Sequence, residues 1–258
     1  MKYCYALITF CLVAAAGCTS SAQNGARLAD PAASDSALTM ADEDIFDAFE
    51  DEFAEAETPV SDPIEPWNRA MFDVNDVFYF WVAKPVVQTY EAIMPRPARV
   101  GIGNFFANLT TPVRLVNCLI QGKGPEAGRE LKRFGINTTA GVLGFGDPAR
   151  DRCGLEPAEE DLGQSLAVHG LGDGFYLVWP LLGPSTLRDS VGRAGDAFLN
   201  PVRYVRPCEL SLGISALDAT NDGSFHIGEY ESFKAASVDP YVAMREAYIQ
   251  YRSKKIQE

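Results

Sequence analysis

Prolines fall where helices would begin, and that placement constrains the fold of this chain more than any other feature. Asp62-Pro63, Thr111-Pro112, Gly124-Pro125, Glu156-Pro157 and Asp239-Pro240 each precede a stretch with helical apolar spacing, and Ser185 opens another. Proline lacks the N–H that the first turn of a helix leaves unbonded anyway, and its fixed φ already suits a helix. Pro95, Pro97 and Pro201 then break the chain between such stretches. After Asp62 the apolar set Trp67, Ala70, Met71, Val74, Val77, Phe78 and Trp81 advances in steps of three and four. That is one wide face of a helix running to about Val82. Tyr241, Met244, Tyr248 and Tyr251 repeat the pattern near the C-terminus. No run of alternating strand residues occurs, so the fold is read as mostly α.

The N-terminus carries an address. Lys2, an apolar run from Tyr5 to Ala16, and Ala15-Ala16-Gly17 before Cys18 describe a secretory signal peptide over residues 1–17. A cysteine directly after the cut resembles a bacterial lipobox, departing from its usual form only at Ala15. The resemblance implies that the Cys18 thiol is acylated and that Cys18 becomes the mature N-terminus. The competing reading is a plain signal peptide with an incidental cysteine. Thr19 follows, not the Asp that commonly retains such lipoproteins at the inner membrane, which directs the expectation to the outer membrane. Past residue 17 no stretch of about 18 apolar residues appears that would span a bilayer as a helix. The ten-residue alternating segments of a membrane barrel are missing too.

Charge is distributed unevenly. The net charge is −13, which argues against nucleic acid as a partner, since that would need a basic footprint. Nine acids and no bases lie between Asp42 and Glu57, whereas the chain from Asp62 onward holds 24 acids against 20 bases. Residues 18–61 therefore read as a lipidated N-terminus with an acidic, flexible tail, residues 62–252 as the folded body, and 253–258 as a C-terminal tail. Ile45, Phe46, Phe49 and Phe53 recur at helical spacing within the acids. They fit either a solvated segment or a short amphipathic helix that docks on a partner. Among Cys118, Cys153 and Cys208, the last two lie in polar, Pro/Gly-rich surroundings and are the pair that could bridge, while Cys118 sits in an apolar pattern as a buried thiol. With two histidines and no CxxC, neither a metal site nor a thioredoxin-like activity is expected.

Two segments are too rich in glycine for ordinary helices: Gly135 to Gly146, and His169 to Gly183. Glycine costs roughly 1 kcal/mol against alanine inside a helix, and it permits unusual dihedrals and close backbone approach. The apolar residues between these glycines fit either a tightly turned connection in a core or a surface facing lipid.

Several separated stretches resemble the MlaA (VacJ) lipoproteins. They are Asp62-Pro63-Ile64-Glu65-Pro66-Trp67-Asn68-Arg69-Ala70-Met71-Phe72; Asn104-Phe105 with Asn108-Leu109 and Pro112; Arg133-Phe134 with Asn137-Thr138 and Gly141; His169 to Gly174 leading to Pro180 and Gly183 to Asp189; and Asp239-Pro240-Tyr241 with Arg245-Glu246-Ala247-Tyr248. The resemblance runs in order from about Asp62 to Arg252, leaving the acidic tail and the surroundings of Cys153 and Cys208 unmatched. It implies an outer-membrane lipoprotein, facing the periplasm, that removes mislocalised phospholipid from the outer leaflet and passes it to a periplasmic carrier. It also implies a ring-like helical assembly embedded in one leaflet, commonly bound to a porin trimer, with glycine-rich apolar loops lining a central amphipathic channel. On that basis Gly141, Gly144, Gly170, Gly172, Gly174, Phe175 and Tyr176 are candidates for the lipid path. Trp67, Met71, Phe78, Trp81 and Trp179 are candidates for a membrane face.

An enzyme is the competing class. Gly163-Gln164-Ser165-Leu166-Ala167 fails the nucleophile-elbow pattern at its last position, and His169 near Ser165 in sequence is not a triad. Gly170-x-Gly172-x-Gly174 is not a dinucleotide fingerprint, because no strand is expected before it. No catalytic residue, cofactor or metal is assigned. A structural lipoprotein bracing a porin or the envelope is the other reading, although a brace has no need of a glycine-rich apolar centre.

Overall fold

Helix α1 (Glu65–Phe78) shows how sequence-level signals are rearranged by tertiary contacts in this protein, whose computed structural model describes residues 61–257. The lipidation expected at Cys18, the leader and the acidic run 42–57 lie outside the described residues. Pro66 occupies the first turn of α1, but Asp62 does not cap it. The Asp62 carboxylate accepts instead from Asn68 Nδ2 at 2.7 Å, from the Tyr241 hydroxyl and from Arg245 Nη1 at 3.3 Å. It ties the start of the body to its last helix.

The helix does not stop at Val82. It passes through a π-helical turn, Tyr79–Ala83, and continues as α2 (Lys84–Ile93). Proline inside an α-helix crowds the carbonyl four residues earlier. The wider turn ahead of Pro85 gives that ring room, and the Lys84 N–H bonds the Tyr79 carbonyl five residues back. The chain then forms α3 (Arg96–Leu109), α4 (Thr111–Ile120), α5 (Gly124–Thr139), α6 (Pro148–Cys153) and α7 (Leu162–Val168). Strands β1 (Tyr176–Trp179) and β2 (Gly183–Thr186) follow, then α8 (Leu187–Leu199), a 3₁₀ turn (Pro201–Tyr204), α9 (Cys208–Gly223), α10 (Glu229–Ala236) and α11 (Pro240–Gln257). The fold is mostly α, and among the described residues no helix is long and apolar enough to cross a membrane.

Three expectations are corrected. Pro157 starts no helix. The Ala158 N–H donates to the Glu130 carboxylate at 2.8 Å and the Leu155 carbonyl accepts from Arg133. Side chains of α5 thereby take the backbone groups a helix would have used. Asp161 caps α7 instead, accepting from Gln164 N–H at 2.8 Å. Second, the His169–Gly183 segment contains an antiparallel hairpin, with Tyr176 opposite Thr186 and Trp179 opposite Gly183. Leu181 (φ +64°) and Gly183 (φ +75°) make its turn, and α8 begins after Thr186, one residue later than Ser185 predicts. Third, Cys153 is a free, exposed thiol, so it forms no bridge to Cys208, while Cys118 is buried as expected.

The interior mixes polar with apolar side chains. Asn68, Asn117, Glu130 and Asn221 are among its largest fully buried side chains. Arg252 of α11 reaches Asp161 at 2.6 Å and Asp189 at 2.9 Å, and the Tyr248 hydroxyl donates to Asp189 at 2.7 Å. Tyr176 packs edge-on against Tyr241 and Tyr248. Buried charges are tolerated only when paired and hydrogen-bonded, and this network meets that condition while holding α7, α8 and α11 together.

Candidate functional site: an outward apolar face and an adjoining cavity

Large apolar side chains point outward along the first long helix. Trp67, Val74, Val77 and Trp81 are exposed in steps of seven, three and four, and Trp81 keeps 80 % of its surface open. Past Trp81 a plain α-helix would place the next outward positions at 85, 88 and 92. Val86 and Ile93 are exposed one residue beyond 85 and 92, and Val82 is exposed within the turn itself. The π turn inserts one extra residue into the helical count, and the face resumes after it in the new phase. Such turns occur frequently at functional sites. Of the membrane-face candidates, Trp67 and Trp81 lie on this face. Met71 is half-buried, Phe78 lines a cavity, and Trp179 is exposed at the end of β1, where its Nε1 donates to Ser190 Oγ at 2.9 Å.

The Ala140–Gly146 loop after α5 is a second outward apolar element. Val142 (φ +54°) and Leu143 (φ +59°) both adopt the left-handed conformation, although neither is glycine. For a β-branched residue this is a rare and costly state that persists only where its surroundings enforce it. The enforcement is visible. Leu143 N–H donates to Thr138 O, Gly144 N–H to Asn137 O and Gly146 N–H to Gly141 O, each at 2.8–2.9 Å. The loop lies against α3, where Phe105 stacks on Phe145 at 5.1 Å. Val142 and Leu143 are left exposed at the tip. A Cβ at Gly141 would lie 2.4 Å from Asn137 O, and one at Gly144 would lie 2.6 Å from the Asn108 side chain. Gly141 is required by backbone contact, and Gly144 by the Asn108 side chain and by its own φ of +95°.

The Gly170–Gly174 stretch is different. Nothing lies within 4 Å of a Cβ built at Gly170 or Gly172, whereas one at Gly174 would meet Leu187 at 3.0 Å. Phe175 is half-buried, and its carbonyl accepts from Leu187 N–H. Tyr176 is 1 % exposed inside the aromatic cluster. It therefore belongs to the core, a correction to its candidacy for an open path. Ser165 and His169 form no catalytic pair: the Ser165 hydroxyl is buried and donates to Asn117 Oδ1 at 2.9 Å, and His169 Nδ1 contacts the Ser165 backbone carbonyl.

A cavity of about 830 Å³, counting its opening to solvent, lies where the π turn, α2 and α9 meet. Sequence reasoning missed it, since its walls come from segments more than a hundred residues apart. Tyr79 and Val87 are buried lining residues, Val82 and Val86 are exposed at the rim, and Ala219 with Ile227 belongs to the opposite wall. Leu181, at the hairpin turn, completes the lining. Its position is fixed by Asn75 of α1, which accepts from Leu181 N–H at 2.6 Å and donates to the Trp179 carbonyl at 2.9 Å. Val82 and Val86 belong to both the outward face and the cavity, so the two are continuous. On α9, burial and then the neighbouring Asp222 push the Asp218 carboxyl up to about 6.

Residues 60–255 match the family model described as MlaA lipoprotein. The chain is similar to the intermembrane phospholipid transport system lipoprotein MlaA of Escherichia coli, 34 % identical over 74 % of this chain and 76 % of the relative. It is similar to the Haemophilus influenzae protein of the same name, 31 % identical over 77 % and 80 %. A solved structure reported as the structural basis for maintenance of bacterial outer membrane lipid asymmetry superposes with a TM-score of 0.68 at 31 % identity, covering 76 % of this chain and 99 % of that one.

Proposed function

The chain belongs to the MlaA lipoprotein family, and from that premise we propose that it is an outer-membrane lipoprotein that removes mislocalised phospholipid from the outer leaflet. It hands that lipid to a periplasmic carrier and so maintains lipid asymmetry. Cys18 carries the acyl anchor, and each buried CH₂ of its chains adds about 0.8 kcal/mol to membrane attachment. The body, residues 62–252, sits as a helical ring in the periplasmic leaflet beside a porin trimer, with an amphipathic path through it.

The single observation that supports this reading best is the outward apolar face: Trp67, Trp81 and Ile93 are exposed, while Asn68, Glu130 and Asn221 are buried. An exposed apolar face this long on a soluble protein would be a liability, and large patches mark a binding or membrane surface. At about 1.5–3 kcal/mol for each large apolar side chain removed from water, seating the face in acyl chains outweighs the strain at Val142 and Leu143. Lipid movement through such a path is passive, needs no nucleophile or cofactor, and takes its direction from the carrier downstream.

The test is the phospholipid content of the outer leaflet in a strain lacking the gene. It should rise on deletion and return to the parental level when the gene is restored. An unchanged content would leave the structural brace as the better account.

A further inference from the structure

The cavity between the π turn and α9 has a chemical character that bears on what it takes. Resting on the phospholipid reading above, we infer that this cavity is an acyl-chain site that holds lipid by its tail and does not read the headgroup.

Lys84 is the lining cation, and its Nζ lies 2.6 Å from Glu231 Oε1. Glu231 is held further by the Tyr79 hydroxyl, which donates to Oε2 at 2.8 Å. The ammonium is thus neutralised by a partner of the same fold. A phosphate entering here would have to displace a half-buried carboxylate, which costs more than a surface ion pair does. His226 turns Nδ1 to the Asp222 carbonyl at 3.0 Å. Thr220 adds one hydroxyl, while Phe78, Val82, Val86, Val87, Leu181 and Ile227 are apolar.

The cavity opens to solvent on one side. Its rim residues Val82 and Val86 are also members of the outward face. A chain leaving an acyl environment along that face meets apolar surface all the way to the buried Val87. Gly223 brings α9 close to α2: a Cβ there would lie 3.4 Å from Val87 Cγ2. The wall is narrow because that residue has no side chain.

Binding of two single-chain probes with the same palmitoyl tail, lysophosphatidylethanolamine and lysophosphatidylglycerol, tests this on the full-length protein in a short-chain maltoside. We expect dissociation constants within about threefold of each other, and weakening of both by tenfold or more in Ala219→Phe. Should Ala219→Phe fail to fold, as judged by its thermal unfolding, Ala216→Phe at the exposed rim decides the point. A preference of more than tenfold between the two headgroups overturns the inference, as does unchanged binding in the filled variants. A deletion strain with unchanged lipid content overturns the function alone.

Discussion

Gly141 tolerates no side chain, because an added methyl would press on two backbone carbonyls, Asn137 O at 2.4 Å and Gly146 O at 2.5 Å. Backbone cannot move aside as a flexible side chain can. Gly141→Ala should therefore lose about 2–4 kcal/mol of stability, whereas Gly172→Ala, with open space around it, should change it by less than about 0.5 kcal/mol. Denaturant unfolding of the two variants side by side checks this, and equal losses would contradict it. A different residue makes stability depend on pH. Burial, then Asp222, raises the Asp218 carboxyl to about 6, against about 3.9 for an unfolded aspartate. The folded state therefore holds this proton more tightly, so the stability it contributes is full below about pH 4 and declines as pH rises to about 6. Asp218→Asn should raise stability by roughly 1–2 kcal/mol at pH 7.5 and leave it unchanged at pH 4. Melting temperatures at the two pH values settle the sign.

Helix α1 and the hairpin are joined by two asparagines, Asn75 at the turn and Asn68 in the core. Asn68 accepts from Val178 N–H at 2.8 Å and donates to the Tyr176 carbonyl at 3.0 Å, with no exposed surface. Asn68→Ala strands a buried donor and a buried acceptor, and should cost about 2–4 kcal/mol. Protection of the Tyr176 and Val178 amides from hydrogen exchange should fall more than that of α5, and uniform loss would show that the joint is not local. Asn68 was legible only as part of a family motif, since its hairpin partners lie more than a hundred residues away. The helices were legible because proline placement and apolar spacing are local signals. Legibility failed where a side chain from elsewhere claimed the backbone, as Glu130 does at Ala158. It failed too where the period itself broke, at the π turn. The hairpin was hidden because glycines and an apolar run carry no alternation. The outward glycine loop could be seen as unusual, but its strained Val142 and Leu143 could not.

With Trp67, Val77, Trp81, Ile93 and Val142 all turned outward, the body should associate with detergent without help from its anchor. An exported Cys18→Ala protein is expected to remain detergent-dependent on fractionation, and a monomer fully soluble in buffer alone would contradict the seated ring. The apolar face that drives this association is kept continuous by one irregularity, the five residues Tyr79–Ala83. In the language of insertions and deletions, that turn is a helix carrying one residue more than its register allows. Removing a single residue there would restore an unbroken α-helix and swing everything beyond it by about 100°, the rotation of one residue at 3.6 per turn. Val86 and Ile93 would leave the face together. Composition can drift along this helix, but its length between Phe78 and Lys84 cannot.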